Sequence, residues 1–228
     1  MLILLVFTVL ATCTTSFINL CAYRLGQGQS PHSPARSYCE HCHRALSWWQ
    51  LIPICGYLLQ AGRCRFCRQP INPYWPLSEA SCGLLMFCCG GADVFHNVLV
   101  LIFLMALLFI TTTDLLYQVL YPLSLIGLIT LAGLLPDWHW SSPSSLLIGG
   151  GFLVFIGLLT LPRHGMGSGD LMYLTVVFIF FGWYKGVILL LVACLLALPC
   201  FAFSRATVRL PFLPALCLAT VLVLIFCP

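Results

Sequence analysis

The sequence predicts an all-α polytopic membrane protein, with about eight transmembrane helices and a small polar loop domain between the first two. Of its 228 residues, 61% are hydrophobic and only 7% are charged, whereas about a quarter of the residues in soluble domains are charged. The mean hydropathy is +1.03. Apolar runs long enough to cross a bilayer recur along the chain, so the composition excludes a soluble fold.

The predicted spans follow from apolar runs that single charged or turn residues interrupt. Residues 1–23 contain no charged side chain. They also lack a basic start and a small-residue cleavage site, so we expect a retained helix rather than a cleaved signal peptide. The other predicted spans cover about residues 77–92, 94–113, 119–135, 145–161, 170–183, 186–204 and 211–227.

Charge divides the chain into three predicted parts, which are a first transmembrane helix (1–23), a polar domain (24–76) and a transmembrane domain (77–228). If the polar domain is cytoplasmic, nine of the ten basic residues lie inside and only Lys185 lies outside. This distribution is the positive-inside pattern, and it places both termini outside. Because membrane topology accounts for the net charge of +4, we expect a lipid bilayer and no nucleic acid as a partner.

Two C-x2-C pairs in the polar domain predict a metal site. The four residues, with twenty-one residues between the pairs, are Cys39, Cys42, Cys64 and Cys67. This spacing is typical of tetrahedral zinc sites with four thiolate ligands. Disulfides are the alternative, but a cytoplasmic loop is kept reduced. We therefore expect a structural zinc ion that stabilises a domain with little core of its own, with His41 and His43 left open as substitute ligands.

Two aspartates are predicted at the same face of the membrane. Asp170 follows a glycine-rich turn that contains Gly167 and Gly169, and Asp114 ends the third predicted span. A carboxyl group at such a position is costly and is read as functional. Two carboxyl groups that share a proton can activate a water molecule and polarise a peptide carbonyl. The pair therefore predicts a catalytic site for peptide hydrolysis, and two separate helix caps are the alternative.

Two other ionisable residues stay open at this stage. Glu79 begins the second predicted span, and it either lines the site or lies at the interface without a task. His164 lies six residues before Asp170, but a loop histidine beside Arg163 is more often only solvated. The cysteines outside the two pairs lie mainly in apolar runs, where cysteine behaves as a small hydrophobic residue.

The residues also resemble a known family. Gly167-Ser168-Gly169-Asp170 resembles the G-x-G-D motif of intramembrane aspartyl proteases, which are the presenilin type and the type IV prepilin leader peptidases. The N-terminal half, with its double C-x2-C, resembles the second group. The segments that carry this resemblance are Ser16-Phe17-Ile18-Asn19, Tyr23-Arg24-Leu25, residues 46–53, Gly62-Arg63-Cys64-Arg65 and residues 71–79.

The resemblance implies a bacterial cytoplasmic-membrane enzyme that removes the leader of type IV prepilins or pseudopilins after a glycine. In many members the same protein N-methylates the new first residue, usually Phe, with S-adenosylmethionine. The family's catalytic aspartates correspond to Asp114 and Asp170, and its four cysteines to the two pairs above. No residues are assigned to the methyl donor.

One motif departs from the family pattern. The family often has an Ile/Leu-Pro-Asp/Asn run about seven residues after the first aspartate, whereas Leu120-Tyr121-Pro122-Leu123 places its proline at plus eight with no polar residue after it. Two other functions remain, a noncatalytic membrane scaffold with a zinc-binding recruitment loop and a transferase that uses the cysteine-rich loop chemically. The pilin system and the oligomeric state are left open.

Overall fold

The computed structural model describes residues 1–31, 36–130, 134, 143–160, 167–203 and 211–226. Within these ranges the regular structure is helical, and the only strand-like features are two isolated β-bridges in the polar loop. The prediction of an all-α chain is therefore confirmed. The α-helices are α1 (Leu2–Gly26), α2 (Cys55–Leu59), α3 (Tyr74–Cys89), α4 (Val94–Tyr117), α5 (Pro143–Thr160), α6 (Ser168–Phe203) and α7 (Leu213–Phe226).

Three of these helices contain segments long and apolar enough to cross a bilayer: Leu2–Gly26, Val94–Tyr117 and Ser168–Pro199. The helices α5 and α7 are also apolar but offer shorter segments. Large apolar side chains such as Leu5, Val9 and Phe95 are exposed along the helices, as expected for surfaces that lipid covers. The chain is therefore a helical membrane protein, and the number of eight crossings stays a prediction.

The helix α6 contains the break that was expected between the sixth and seventh spans, but at another residue. Its backbone is helical on both sides of Gly182, which has a φ of 74° and a ψ of 173°. Glycine adopts this conformation at little cost because it has no Cβ atom. The expected break at Lys185 was wrong, because Lys185 itself is helical. A charged residue marks a polar position and does not by itself end a helix.

The region of the fourth predicted span also differs. Pro122–Thr130 forms a 3-10 helix rather than an α-helix, and residues 131–133 and 135 of that span lie outside the described residues. The serine and threonine in this segment bond locally, since Ser124 Oγ donates to Tyr121 O at 2.6 Å and Thr130 Oγ1 donates to Gly127 O at 2.7 Å. Such local bonds compete with α-helical pairing.

The chain forms two compact units, an N-terminal unit (residues 1–112) and a C-terminal unit (residues 113–228). In the N-terminal unit, α1 packs against α3, and a buried polar network joins them to α4. Asn19 Nδ2 donates to Ser78 Oγ at 2.7 Å, and Thr112 Oγ1 donates to Asn19 Oδ1 at 3.2 Å. The hydroxyl of Tyr74 also bonds to Thr112 Oγ1 at 2.7 Å. The network therefore links side chains from three helices.

In the C-terminal unit, α6 packs against both α5 and α7. Tyr173 on α6 is fully buried, and its hydroxyl bonds to Thr220 Oγ1 on α7 at 2.7 Å. A polar side chain in apolar surroundings needs such a partner, because an unsatisfied group is costly there. This bond fixes the relative rotation of the two helices that begin beside the candidate site.

Replacing Asn19 with alanine tests the polar network. The change removes two interhelical bonds and leaves Ser78 and Thr112 without their shared partner, so we expect a loss of about 1–2 kcal/mol in stability. Thermal unfolding of the purified protein in detergent measures this loss. The matched control is Thr14→Ala, since Thr14 Oγ1 bonds only to carbonyls of its own helix. Equal melting temperatures for both variants would contradict a stabilising network.

Candidate active site and metal centre

The structure brings the four cysteines of the two C-x2-C pairs together. Their sulfur atoms all lie within 4.8 Å of one another, and the Sγ atoms of Cys39 and Cys67 are 3.8 Å apart. A tetrahedral zinc ion with Zn–S bonds of about 2.3 Å requires sulfur–sulfur edges of about 3.8 Å. The donor set therefore fits a four-thiolate ion. His41 and His43 are not part of this group in the described part of the chain.

The two C-x2-C pairs lie in two separate tight turns that have the same backbone hydrogen bonds. In the first turn His43 N donates to Cys39 O and Cys39 N donates to Arg44 O, and in the second Arg68 N donates to Cys64 O and Cys64 N donates to Gln69 O. The residue after each pair has a positive φ, 53° at His43 and 59° at Arg68. The β-bridges Tyr38–Ala45 and Arg63–Pro70 flank the two turns in equivalent register. The loop thus contains the same ligand-presenting turn twice.

The thiols of this cluster differ in their electrostatic surroundings. Burial raises the pKa of Cys64, but the backbone N–H groups of Cys67 and Phe66 and the neighbouring thiols outweigh it and lower the pKa to about 7. Burial raises the pKa of Cys39 to about 11. Because cysteine binds metal ions as the thiolate, an ion bound at this site would displace the protons of those thiols that are still protonated. The four cysteines of the cluster are free thiols, so they form no disulfides.

In the C-terminal unit the structure places Asp170 in the first turn of α6. The side chain is buried, and its Oδ2 accepts the N–H of Gly167 at 3.0 Å. The two flanking glycines have no positive φ. They instead allow close approach, since a Cβ atom on Gly169 would lie 3.0 Å from the Cβ of Leu120. The Gly-x-Gly-Asp turn is therefore packed against the segment that follows α4.

Asp114 lies one turn before the end of α4 and is also buried. The backbone N–H of Leu213, at the start of α7, and the carboxyl group of Asp170 both lie within electrostatic range of its carboxyl group. Among the described residues nothing bonds to its Oδ2 atom. Each aspartate therefore faces the amino end of a helix, where the partial positive charge favours a carboxylate.

The sequence did not indicate the contributions of Leu120 and Leu213. Neither carries a chemically distinctive side chain, since Leu213 acts through its backbone and Leu120 through packing. The proline at plus eight from Asp114 begins the 3-10 helix Pro122–Thr130, so Leu120 lies in the short connection before it. This connection allows Leu120 to contact Gly169 despite the departure from the usual motif.

The structure describes only one of the two ionisable residues whose roles the sequence left undecided, Glu79 and His164. Glu79 is buried in the N-terminal unit, where its Oε2 accepts the N–H of Ile54 at 2.8 Å. It lines a cavity of about 220 Å³ between α1, α3 and the cysteine-bearing loop. Glu79 is thus not a solvated interfacial acid. His164 lies outside the described residues.

Two family models match successive parts of the chain. The bacterial peptidase A24 N-terminal domain matches residues 9–91, and the type IV leader peptidase family matches residues 101–202. The chain belongs to the type IV leader peptidase family. The first matched segment contains the four cysteines and Glu79, and the second contains both aspartates. The resemblance that the motifs predicted is therefore confirmed.

Curated relatives of this family are named prepilin leader peptidase/N-methyltransferase. The protein from Myxococcus xanthus is 32% identical over 192 residues, which cover 77% of this chain and 55% of the relative. The Bacillus subtilis protein is 25% identical over 212 residues, covering 84% and 82%. The Aeromonas hydrophila protein is 31% identical over 172 residues, covering 70% and 59%. The chain thus spans little more than half of the Myxococcus relative, and no solved structure matches significantly.

Replacing Cys64 with serine tests the metal centre. The change removes one of four clustered sulfur ligands, so we expect loss of the bound metal, a lower yield and a lower melting temperature, with residual enzyme activity in the folded fraction. Metal analysis measures the loss of metal, and thermal unfolding measures the change in melting temperature. Cys55→Ser is the control, because Cys55 is exposed and lies in the same loop outside the cluster. Metal retention by the Cys64 variant would rule out the site.

Replacing Gly169 with alanine tests the close approach beside Asp170. The added Cβ atom meets the Cβ of Leu120, which is tied to the backbone, so we expect the turn to shift and activity to fall by about tenfold or more. The control Gly151→Ala adds a methyl group where no atom lies within 4 Å. Adding Leu120→Gly to the Gly169 variant removes the obstacle and restores part of the activity. Unchanged activity in the single variant would contradict this packing role.

Proposed function

We propose that the chain is a membrane-embedded aspartyl endopeptidase that removes the leader of type IV prepilins or pseudopilins, cutting after a glycine on the cytoplasmic side. The observation that carries this proposal is the pair of buried carboxyl groups of Asp114 and Asp170, which lie within electrostatic range of each other. Both lie in one compact unit of a chain that belongs to the type IV leader peptidase family. The names of the relatives support the same substrate class.

In the proposed reaction a water molecule attacks the carbonyl carbon of the scissile bond. One carboxylate accepts a proton from the water as the new C–O bond forms, and the partner carboxyl group, in its acid form, donates a proton to the carbonyl oxygen. When the tetrahedral intermediate collapses, the C–N bond breaks and a proton passes to the leaving amine. The atoms of the uncleaved peptide and one water molecule thus equal those of the two products, and the reaction needs no other reactant.

The local geometry suggests different tasks for the two aspartates. The Gly167 N–H holds Asp170 Oδ2 in place, which orients that carboxyl group. The Oδ2 atom of Asp114 has no protein donor among the described residues, so it can take the hydrogen bond of a reacting water. Gly167 and Gly169 form the active-site turn, in which the Gly167 N–H bonds to Asp170 and a side chain at Gly169 would crowd Leu120.

We further propose that the enzyme N-methylates the residue exposed by cleavage, because the relatives carry both activities in their names. S-adenosylmethionine supplies the methyl group from a sulfonium centre. The residues that fit a sulfonium are those of the cavity beside Glu79, which combines carboxylates with aromatic rings. Zinc in the four-cysteine site has a structural task in this proposal, which is to hold the two turns together.

The proposed topology keeps the division predicted from charge. A first transmembrane helix (1–23) precedes a cytoplasmic zinc-binding domain (24–76) and a transmembrane peptidase domain (77–228), with about eight crossings of the bacterial cytoplasmic membrane. Nine basic residues then face the cytoplasm. The substrate and the lipid bilayer are the partners.

Replacing either aspartate with asparagine tests the peptidase. We expect Asp114→Asn and Asp170→Asn each to lower leader removal by about 10²–10⁴-fold, since asparagine cannot transfer the proton. Mass spectrometry of a co-expressed prepilin reports the cut and any added methyl group together. Asp93→Asn is the control, because Asp93 is exposed and accepts only from the His96 N–H. Undiminished cleavage by both variants would favour a noncatalytic scaffold.

A further inference from the structure

The cavity beside Glu79 differs in charge from the domain that surrounds it. The two carboxylates among its described lining residues are Glu79 and Glu40, and the only titratable nitrogen is that of His41. None of the six arginines between residues 24 and 68 lines it, although the structure describes all six. An acidic cavity has therefore formed inside the most basic part of the chain.

The arginines nearest to this region are engaged elsewhere. Arg24 donates to the carbonyl oxygens of Pro31 and Arg36, and it lies 5.9 Å from the Tyr38 ring without lining the cavity. Arg44 lies over the Phe66 ring at 4.4 Å, and Arg65 over the Trp49 ring at 5.8 Å. The charge of Glu79 is thus left without a basic partner among the lining residues, which is costly for a buried carboxylate.

Glu79 is held in a defined position. The Ile54 N–H donates to its carboxylate at 2.8 Å, and the side chain is 7% exposed. A carboxylate has about four acceptor positions, so this bond leaves room for a ligand. Ile54 itself has a positive φ of 61°, a conformation that a β-branched residue adopts only when its surroundings impose it.

Aromatic rings form part of the cavity wall. The four aromatic lining residues besides His41 are Tyr23, Tyr38, Tyr57 and Trp75. Tyr23 and Trp75 meet edge to face with centroids 6.2 Å apart, which fixes both rings. Aromatic faces attract organic cations, and they do so more strongly when the cation is partly removed from water.

We propose that this cavity binds a small organic cation, with the Glu79 carboxylate as its anchor and the aromatic rings as its wall. The identity of the cation rests on the proposed function, which supplies two sources. One is the sulfonium of S-adenosylmethionine, and the other is the free ammonium group of the processed pilin. The sulfonium is bonded to three carbon atoms, and the ammonium is bonded to the carbon atom that carries the first side chain, so each presents a positive charge next to apolar groups.

Affinity for matched pairs of charged and neutral ligands tests the proposal. The purified protein is titrated with S-adenosylmethionine and with S-adenosylhomocysteine, which has a neutral thioether in place of the sulfonium, and separately with a short peptide beginning with Phe whose amino end is free or acetylated. We expect one of these pairs to show a preference for the cation of about tenfold. The pair that shows it identifies the source.

Two variants connect that preference to the cavity. Glu79→Gln keeps an acceptor for the Ile54 N–H but removes the charge, so the preference falls below about twofold. Glu40→Lys changes an exposed residue and reverses a charge at the lining, so it weakens cation binding by about threefold or more while leaving the neutral ligand unaffected. Asp93→Asn changes an acid outside the cavity and keeps the wild-type preference. Thermal unfolding checks that each variant is folded.

The outcomes separate this inference from the proposed function. Absence of any cation preference in the wild-type protein, or an unchanged preference in Glu79→Gln, overturns the cation site. If Glu79→Gln does not fold, the same criterion applies to Glu40→Lys. Binding is measured without turnover, so the Asp114→Asn protein keeps the cation preference even though it cannot remove a leader. Failure of cleavage therefore leaves the cavity result intact.

Discussion

The structure depends on the need of polar groups within apolar helices to find partners inside the protein, since lipid offers none. Asn19 on α1 meets this need through Ser78 and Thr112, and Tyr173 meets it through Thr220. In both cases the bond joins different helices, so it also fixes how they pack. The buried polar residues are therefore points of attachment between helices whose outer surfaces are apolar.

The two aspartates follow this rule through backbone groups. Each carboxylate is supported by a backbone N–H at the start of a helix, from Gly167 for Asp170 and from Leu213 for Asp114. Helix amino ends stabilise negative charge without contributing a proton of their own. A lysine or arginine partner would also stabilise the carboxylates, but it would hold them permanently ionised. The arrangement thus tolerates two acids in one buried place while keeping their protons exchangeable.

In the N-terminal unit, the polar loop has to become ordered without a large apolar core. Its loop is rich in arginine and has little apolar material, yet it forms a defined wall beside α1 and α3. The two cysteine turns, the contact between Arg44 and Phe66 and the bond from Ile54 to Glu79 supply the missing order. Glu79 is therefore one point at which the loop attaches to the helical part of the unit, and Arg24, which bonds to Pro31 O and Arg36 O, is another.

Sequence alone predicts the features that depend on local spacing. The C-x2-C pairs and the Gly-x-Gly-Asp turn are short patterns, and each brings together residues that are close along the chain. Leu120 and Leu213 could not be predicted as neighbours of the aspartates, because ordinary leucines act there through packing and a backbone N–H. The sequence pattern places the helix break near Lys185 rather than at Gly182, because a charged residue interrupts the apolar run there, whereas glycine adopts the observed backbone conformation more easily than other residues.

The 3-10 helix at Pro122–Thr130 was missed for a related reason. Hydropathy distinguishes apolar from polar segments but does not distinguish one kind of helix from another. Glu79 was left undecided because its role depends on Ile54, twenty-five residues away. Contacts between residues this far apart in the sequence depend on how the loop folds, and they leave no periodic pattern in the sequence.

The repeated turn around the cysteines has a consequence for assembly. Each copy contributes two of the four sulfur atoms, so neither copy alone can complete a tetrahedral shell. An ion bound by both copies would hold them together, and its loss would release both. With an ion bound in this way, the loop would gain and lose its order in a single cooperative step that depends on the supply of metal.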